Sequence, residues 1–215
     1  MPVFSHEAGP AQKEREQIKA CQAGDVNAFA DLIVPYQQQV YHIGLQMLHD
    51  PEDAADMLQE TMLKAYRGLP SFRGDARFST WLYRIAVNCC RDLLRKAYKQ
   101  KERPFCDFLG EEDGEGEAAI ADYSFAPEQA VLEGESHAYL CRLIEGLSPK
   151  YRLTVLLREF CGLSYEEIGR ITNVSQGTVK SRISRARAAM SRQALQDAEQ
   201  FPQASRLTGQ RREQA

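Results

Sequence analysis

Leu163-Ser-Tyr-Glu-Glu-Ile-Gly-Arg-Ile-Thr-Asn-Val-Ser-Gln-Gly-Thr-Val-Lys-Ser-Arg182 is the stretch that decides the fold class of this 215-residue chain. Ser164 and Glu167 form a capping box, in which a hydroxyl and a carboxylate satisfy the free amides at a helix start. Asn173 supplies the turn, because asparagine tolerates a left-handed backbone better than other non-glycine residues. A second helix is then expected from Gln176 to about Ser191. Helix, tight turn and helix in this order predict a helix-turn-helix.

The second helix of this motif is strongly cationic. Between Thr178 and Arg192 it carries five basic residues and no acid, and the first turns of such a helix enter the DNA major groove. An αα-hairpin with a basic exposed face is the alternative, but cap, turn residue and the small Gly169 all favour DNA recognition. The side chains expected to reach bases or nearby phosphates are Ser175, Gln176, Thr178, Lys180, Ser181 and Arg182, with Arg185, Arg187 and Arg192 mainly at phosphates.

Apolar spacing predicts two more helices before this motif. The first ends near Leu147, and Ser148 with Pro149 then supplies an N-cap and a proline at the first position of the next helix. The apolar residues that define the helices of this C-terminal unit are Tyr139, Leu140, Leu143, Ile144, Leu147, Leu153, Leu156, Leu157, Phe160, Ile168, Ile171, Val179, Ile183 and Ala186.

The N-terminal half predicts a helix from about Asn27 to Leu48, with Pro35 as a potential kink. Asp50 caps a second helix that runs to about Arg67 and has Pro51 at its first position. The residues on the apolar side of that helix are Ala54, Leu58, Met62 and Ala65. The residues left on its exposed polar face are Asp53, Asp56, Gln59 and Glu60, which spacing alone explains as a solvated surface.

A third helix, from Ser79 to about Lys99, has an apolar and a cationic face. Between Arg84 and Arg103 there are seven basic residues against two acidic ones, which favours phosphate contact over an ordinary surface helix. The apolar face consists of Trp81, Ile85, Cys89 and Leu93. The cationic face consists of Arg84, Asn88, Arg91 and Arg95, followed by Lys96. The preceding loop, Gly68 to Arg77, adds a ring and guanidinium groups against which unstacked bases lie, from Phe72, Arg73 and Arg77.

Charge divides the chain into segments. Asp107 to Glu135 holds ten acidic and no basic residues, so although the whole chain has a net charge of −3, the remainder carries +7. The glycine-rich run Gly110 to Glu117 cannot bury enough apolar surface to offset its ordering entropy. No sustained period-two alternation indicates strands. The prediction is an all-α protein of two small helical domains, residues 11–103 and 136–193, joined by an acidic flexible linker, residues 104–135, with a polar tail, residues 194–215.

Composition excludes several classes. At 43% hydrophobic residues, without an apolar run near the roughly 20 residues of a spanning helix or a signal-peptide core, the chain is expected to be cytoplasmic and not inserted in a membrane. Its six cysteines have neither zinc nor C-x-x-C spacing, so they are expected to be small buried hydrophobes, with Cys106 as the one candidate for redox sensitivity. No metal site and no cofactor is expected.

Three ordered stretches resemble one family, the bacterial extracytoplasmic-function sigma factors of the minimal two-domain kind. Asp50 to Tyr66 is similar to the helix by which that family binds RNA polymerase, and Phe78 to Lys96 is similar to its minus-ten-reading helix. Leu147 to Arg152, Leu163 to Ile168 and Gly177 to Arg182 are similar to its minus-thirty-five-reading domain. The resemblance covers most of the chain.

The resemblance implies a function without chemistry of its own. Asp53, Asp56, Gln59 and Glu60 would contact core RNA polymerase, the cationic face of the third helix would meet promoter DNA, and residues 72–77 would help capture an extruded base. Members of the family are commonly held inactive by an anti-sigma factor, so such a partner is a further expectation. The alternatives are an autonomous helix-turn-helix regulator and a metal-dependent hydrolase or nuclease using Glu111 to Glu117. The hydrolase lacks groups held in a fixed geometry.

Overall fold

The computed structural model describes residues 10–100 and 133–200, and every regular element in these two ranges is helical. They form two compact units. The helices of the first are α1 Pro10–Gln22, α2 Val26–Leu48, α3 Pro51–Gly68, which passes into a 3-10 turn Leu69–Ser71, and α4 Phe78–Gln100. Those of the second are α5 Glu133–Glu145, α6 Pro149–Val155 with a π-helical turn Leu156–Phe160, α7 Tyr165–Thr172 and α8 Gln176–Gln200.

The predicted helices of the first unit are confirmed, and one helix was missed. Asp50 accepts hydrogen bonds from the amides of Glu52 and Asp53 at 2.8 and 2.9 Å, which starts α3 as its sequence predicts. Helix α2 continues through Pro35. Helix α1 was not predicted; its mean hydropathy is low, and only Ile18 and Cys21 pack against the core. The core of this unit is built from Phe29, Leu32, Ile33, Ala65, Leu69, Phe78 and Leu82.

The buried faces of α3 and α4 are rotated from the predicted ones. On α3, Met57 and Thr61 are buried between Ala54 and Ala65, whereas the expected Leu58 and Met62 lie at the margin. Thr61 can enter the core because its Oγ1 donates to Met57 O at 2.7 Å. On α4 the expected Trp81, Ile85 and Leu93 are only half-buried. The residues of α4 that are fully packed are Phe78, Thr80, Leu82, Tyr83, Ala86, Val87, Cys89 and Cys90.

The second unit packs α6, α7 and α8 around an apolar core. Most of its predicted apolar positions are buried, including Ile144, Leu153 and Ile168. Leu140 is exposed, however. Ser148 begins α6 as expected but does not cap it through its side chain: within the described residues its buried Oγ has no hydrogen-bond partner.

Helix α8 is longer than its sequence predicted, and it packs back on α5. Tyr139 donates to Asp197 Oδ2 at 3.1 Å, and a Cβ on Gly146 would lie 2.6 Å from Gln193 Oε1. Residues 194–200, assigned above to the tail, are therefore helical, as are residues 133–135 at the end of the predicted linker. Residues 104–132, including Cys106, and residues 201–215 lie outside the described ranges.

The remaining expectations concern cysteines and membranes. The described cysteines are unbridged, and Cys89 and Cys90 are buried. Burial raises the pKa of Cys90 to about 12, so its thiol stays protonated. Cys21, Cys141 and Cys161 are half-exposed, which departs from the expected burial. Among the described residues, no helix combines the length and apolar character needed to cross a membrane.

Candidate nucleic-acid interface

The helix-turn-helix is built by local hydrogen bonds at the start of α7 and by one residue at its end. Glu167 N donates to Ser164 Oγ at 3.2 Å, and Ser164 N donates to Glu167 Oε2 at 2.8 Å, so the predicted capping box is present. Asn173 ends the helix with φ +58°, in the left-handed region. Both features turn the chain within a few residues and fix the direction in which α8 leaves.

Gly169 allows the turn to close tightly on α7. A Cβ on this residue would lie 2.7 Å from the carbonyl oxygen of Val174, a distance that real Cβ atoms do not adopt. Val174 N in turn donates to Gly169 O at 3.1 Å. The absent side chain therefore sets the spacing between α7 and the first turn of α8, as its sequence position predicted.

The first turns of α8 present a polar surface. Ser175 caps the helix, since Thr178 N donates to its Oγ at 3.1 Å. Thr178 Oγ1 lies 2.9 Å from the same oxygen, and Ser181 Oγ donates to Thr178 O at 2.9 Å, so both hydroxyls already have partners within the helix. Gln176 and Lys180 are exposed. These two side chains are the best placed in this turn to reach a DNA groove.

Arg182 is a correction to the predicted set. Its side chain is only 1% exposed, so it cannot reach bases from this position. The reason is helical periodicity: residue 182 lies three positions after Val179 and four before Ala186, on the stripe that faces the core. The prediction counted its charge and ignored its place on the helix.

The later arginines of α8 differ in their partners. Arg185 is exposed and its Nη1 lies 3.5 Å from the hydroxyl of Tyr151. Arg187 forms an ion pair with Glu159 at 2.8 Å, and this hydrogen bond raises the pKa of the guanidinium, which stays charged. Glu159 lies on the π-helical turn that follows α6. Sequence reasoning missed it because the contact joins residues 28 positions apart.

In the first unit, the cationic stripe lies on the side of α4 away from the core. Arg84, Arg95 and Lys96 are exposed, while Asn88 and Arg91 are half-buried. The structure therefore places the predicted stripe on one accessible face, with its two ends more open than its middle. Cations on one accessible helix face can neutralise the phosphate charge of a nucleic-acid strand.

The loop between α3 and α4, residues 68–77, is more tightly packed than expected. The ring of Phe72 lies 5.2 Å from that of Trp81 and 6.0 Å from that of Phe78, both between ring centroids. Phe72 is therefore partly buried by aromatic contacts within the unit. Arg73 and Arg77 are exposed at the loop.

The acidic face of α3 is where it was predicted. Asp53, Asp56, Gln59 and Glu60 are all exposed, and Glu60 pairs with Lys64 at 3.4 Å on the same helix. No group of three or more potential metal ligands occurs among the described residues.

Two family models match the two units. Sigma-70 region 2 matches residues 32–100, and Sigma-70 region 4 matches residues 137–190. The chain is 39% identical over 187 residues to the RNA polymerase sigma-H factor of Pseudomonas aeruginosa, covering 86% of this chain and 95% of that protein. It is also 40% identical over 173 residues to the ECF RNA polymerase sigma-E factor of Escherichia coli, with 80% of this chain and 90% of that protein covered. This chain belongs to the sigma-70 family, as an extracytoplasmic-function (ECF) sigma factor.

Two solved structures share the fold of this sigma factor. CnrH, in a complex with the cytosolic domain of CnrY, has a TM-score of 0.60 and 23% identity and covers 86% of this chain and 98% of its own. The sigma factor RpoE of Bartonella quintana, in a complex with the anti-sigma factor NepR, has a TM-score of 0.57 and 23% identity, covering 78% and 96%. The predicted family and all-α class are thus confirmed.

Proposed function

We propose that this sigma factor contacts promoter DNA through two cationic surfaces, one on each unit, and core RNA polymerase through α3. The observation that carries the proposal is that α4 and α8, which belong to different compact units, each expose basic residues on one face. On α8 the residues proposed to read the upstream element are Ser175, Gln176, Thr178, Lys180, Ser181 and Arg185, without Arg182.

The first unit is proposed to engage the downstream element. Arg84, Asn88, Arg91, Arg95 and Lys96 would contact phosphates, and Arg73 and Arg77 would help hold one strand after it opens. Unstacking a base costs a few kcal/mol, which stacking and phosphate contacts offset. Because the whole chain has a net charge of −3, the free protein is expected to bind DNA poorly. Core polymerase would organise both surfaces, and the chain would supply no chemistry itself.

The contact with polymerase is proposed for Asp53, Asp56, Gln59 and Glu60. These side chains form an exposed acidic surface on a helix whose opposite face is packed in the core. Replacing Asp53 and Asp56 together by alanine is expected to weaken binding to core polymerase. A double alanine change of two exposed acids on other helices of the same unit, Glu16 of α1 and Asp31 of α2, serves as a charge-matched control.

Run-off transcription tests the proposal. Core polymerase with the full chain and a library of genomic fragments should yield promoter-specific transcripts above those of core alone. Equal transcript patterns with and without the chain would contradict it. A gel shift without polymerase distinguishes the autonomous regulator, which would bind its site unaided.

We also propose that this sigma factor binds an anti-sigma factor. The two solved neighbours of the fold were each captured with a protein partner, NepR being an anti-sigma factor. The product of a reading frame adjacent to this gene, added to the run-off reaction, should suppress the specific transcripts. If the added protein also suppresses the non-specific transcripts that core polymerase makes alone, its target is the polymerase and not this chain.

A further inference from the structure

The last residue of α1, Gln22, reaches the start of the loop that joins α3 and α4. Its Nε2 donates to Leu69 O at 3.2 Å and to Phe72 O at 2.9 Å. A carboxamide nitrogen carries two hydrogens, so one side chain can satisfy both carbonyls. These carbonyls lie at the two ends of the 3-10 turn and fix the chain as it leaves α3.

Helix α1 is itself tied to the core on the same side. Ile18 and Cys21 pack against the core cluster of the first unit. Tyr36 of α2 donates to Glu14 Oε2 at 2.5 Å. The Tyr36 ring lies 5.6 Å from the Phe78 ring, which in turn contacts Phe72. Helix α1 therefore supports the loop twice: the Gln22 side chain binds two backbone carbonyls, and Glu14 binds Tyr36, whose ring begins the aromatic contacts.

The tip of the loop is open at Gly74. Gly74 adopts φ +78°, and nothing lies within 4 Å of where its Cβ would be. A segment that is ordered before binding loses less conformational entropy when it binds. The two hydrogen bonds from Gln22 stand at the base of this open tip and restrict the conformations from which Arg73 approaches a strand.

We propose that Gln22 is a positioning residue for capture of the downstream promoter strand, because it fixes the base of the loop that carries Arg73. The proposal rests on the function proposed above for that loop. Gln22 touches no DNA in it; the side chain acts through the backbone of residues 69–72.

The test compares two glutamines of one helix. Gln22→Leu removes the donor with little change of volume, and Gln22→Glu replaces it with an acceptor that repels both carbonyls. Gln12, also on α1, is exposed and bonds only to Glu16 at 3.1 Å among the contacts of its side chain in the structure. Gln12→Leu and Gln12→Glu therefore impose the same chemical changes on the same helix without touching the loop.

The measurement uses the full chain assembled with core polymerase. The probe is a fluorescein-labelled non-template strand, carrying the downstream element of a promoter recovered by run-off transcription. Both Gln22 variants should bind this strand about fivefold more weakly than the parent, the size expected for lost hydrogen bonds at a partly exposed site. Affinity for core polymerase and affinity for the upstream element as duplex should stay unchanged, and the melting temperature of the free chain should fall by no more than a few degrees.

Arg73→Ala distinguishes the positioning role of Gln22 from the proposed function of the loop in strand binding. If Arg73→Ala weakens strand binding and the Gln22 variants do not, the positioning role is wrong and the proposed function stands. If neither change weakens strand binding, the loop does not capture the strand and both proposals fail there. If the Gln22 variants lower the melting temperature by more than a few degrees and also lower the affinity for core, Gln22 is merely structural and the positioning role is overturned. A loss equal to that of the Gln12 variants overturns it as well.

Discussion

The surfaces proposed to face DNA in the two units are built in different ways. In the second unit, a capping box, a left-handed Asn173 and the absent side chain of Gly169 direct α8, all within a dozen residues of sequence. In the first unit, the loop before α4 depends on Phe72, Trp81 and on Gln22, which is some 50 positions away from the loop in sequence.

The comparison teaches that equal charge patterns do not imply equal construction. A surface that is positioned by caps and turns is specified by residues close to it in the sequence, because each hydrogen bond joins near neighbours. A surface that is positioned by packing needs residues from several helices, so changes outside the residues proposed to contact DNA can alter it.

The largest effect is expected at Arg182, where the locally built unit departs from its sequence pattern. Arg182→Ala should lower the free energy of unfolding by about 3 kcal/mol, because it leaves the space of a long buried side chain empty. Trp81 is the only tryptophan and lies in the first unit, so urea unfolding followed by circular dichroism should shift while tryptophan fluorescence does not.

Arg185→Ala is the matched control for that change. It removes the same side chain three positions later from an exposed site, so stability should change by less than about 0.5 kcal/mol. Duplex binding by the polymerase complex should instead lose about one unit of its salt slope. Equal stability of both variants would show that Arg182 is not packed as described.

The second prediction concerns Phe72 in the unit built by packing. Phe72→Ala should lower the free energy of unfolding of the first unit by about 2 kcal/mol, since it removes ring contacts with Phe78 and Trp81. Tryptophan fluorescence should report the loss directly. An unchanged transition would mean that the ring stands open, as the sequence had suggested.

The third prediction compares two serines that both begin helices. Ser164→Ala should cost about 1 kcal/mol of stability, because it removes the cap of α7. Ser148→Ala should be neutral or slightly stabilising, since within the described residues the buried Ser148 Oγ makes no hydrogen bond. Thermal melts of the two variants side by side check this, and a larger loss for Ser148→Ala would reverse the assignment.

The smallest effect is expected at the ion pair between Glu159 and Arg187. Glu159→Gln should release Arg187 for phosphate contact and strengthen upstream duplex binding by about twofold at low salt, with a steeper salt dependence. Titration of the duplex into the polymerase complex at several salt concentrations measures it. The same change made in an Arg187→Gln background should have no effect if the pair is the cause.

Much of the architecture followed from local signals. Asp50, Ser164, Asn173 and Gly169 act on neighbouring backbone groups, so their roles could be inferred without coordinates. Helix α1 could not, because its weakly apolar sequence lacks a clear buried stripe and it is held by contacts to other helices. The buried face of α3 was predicted wrongly because Thr61 looks like a surface residue in the sequence. In the structure it is buried, and its hydroxyl donates a hydrogen bond to Met57 O.

Periodicity, capping and ordered motifs are enough to establish the helical class, the two units, the turn before α8 and the family. The packing of the helices was needed to show that Arg182 is buried, that Phe72 contacts Phe78 and Trp81, that Glu159 pairs with Arg187 and that Gln22 binds the loop. The two kinds of interaction differ in the sequence distance that they span. Hydrogen bonds within a turn are set by adjacent residues, whereas burial and pairing depend on which faces of distant helices meet.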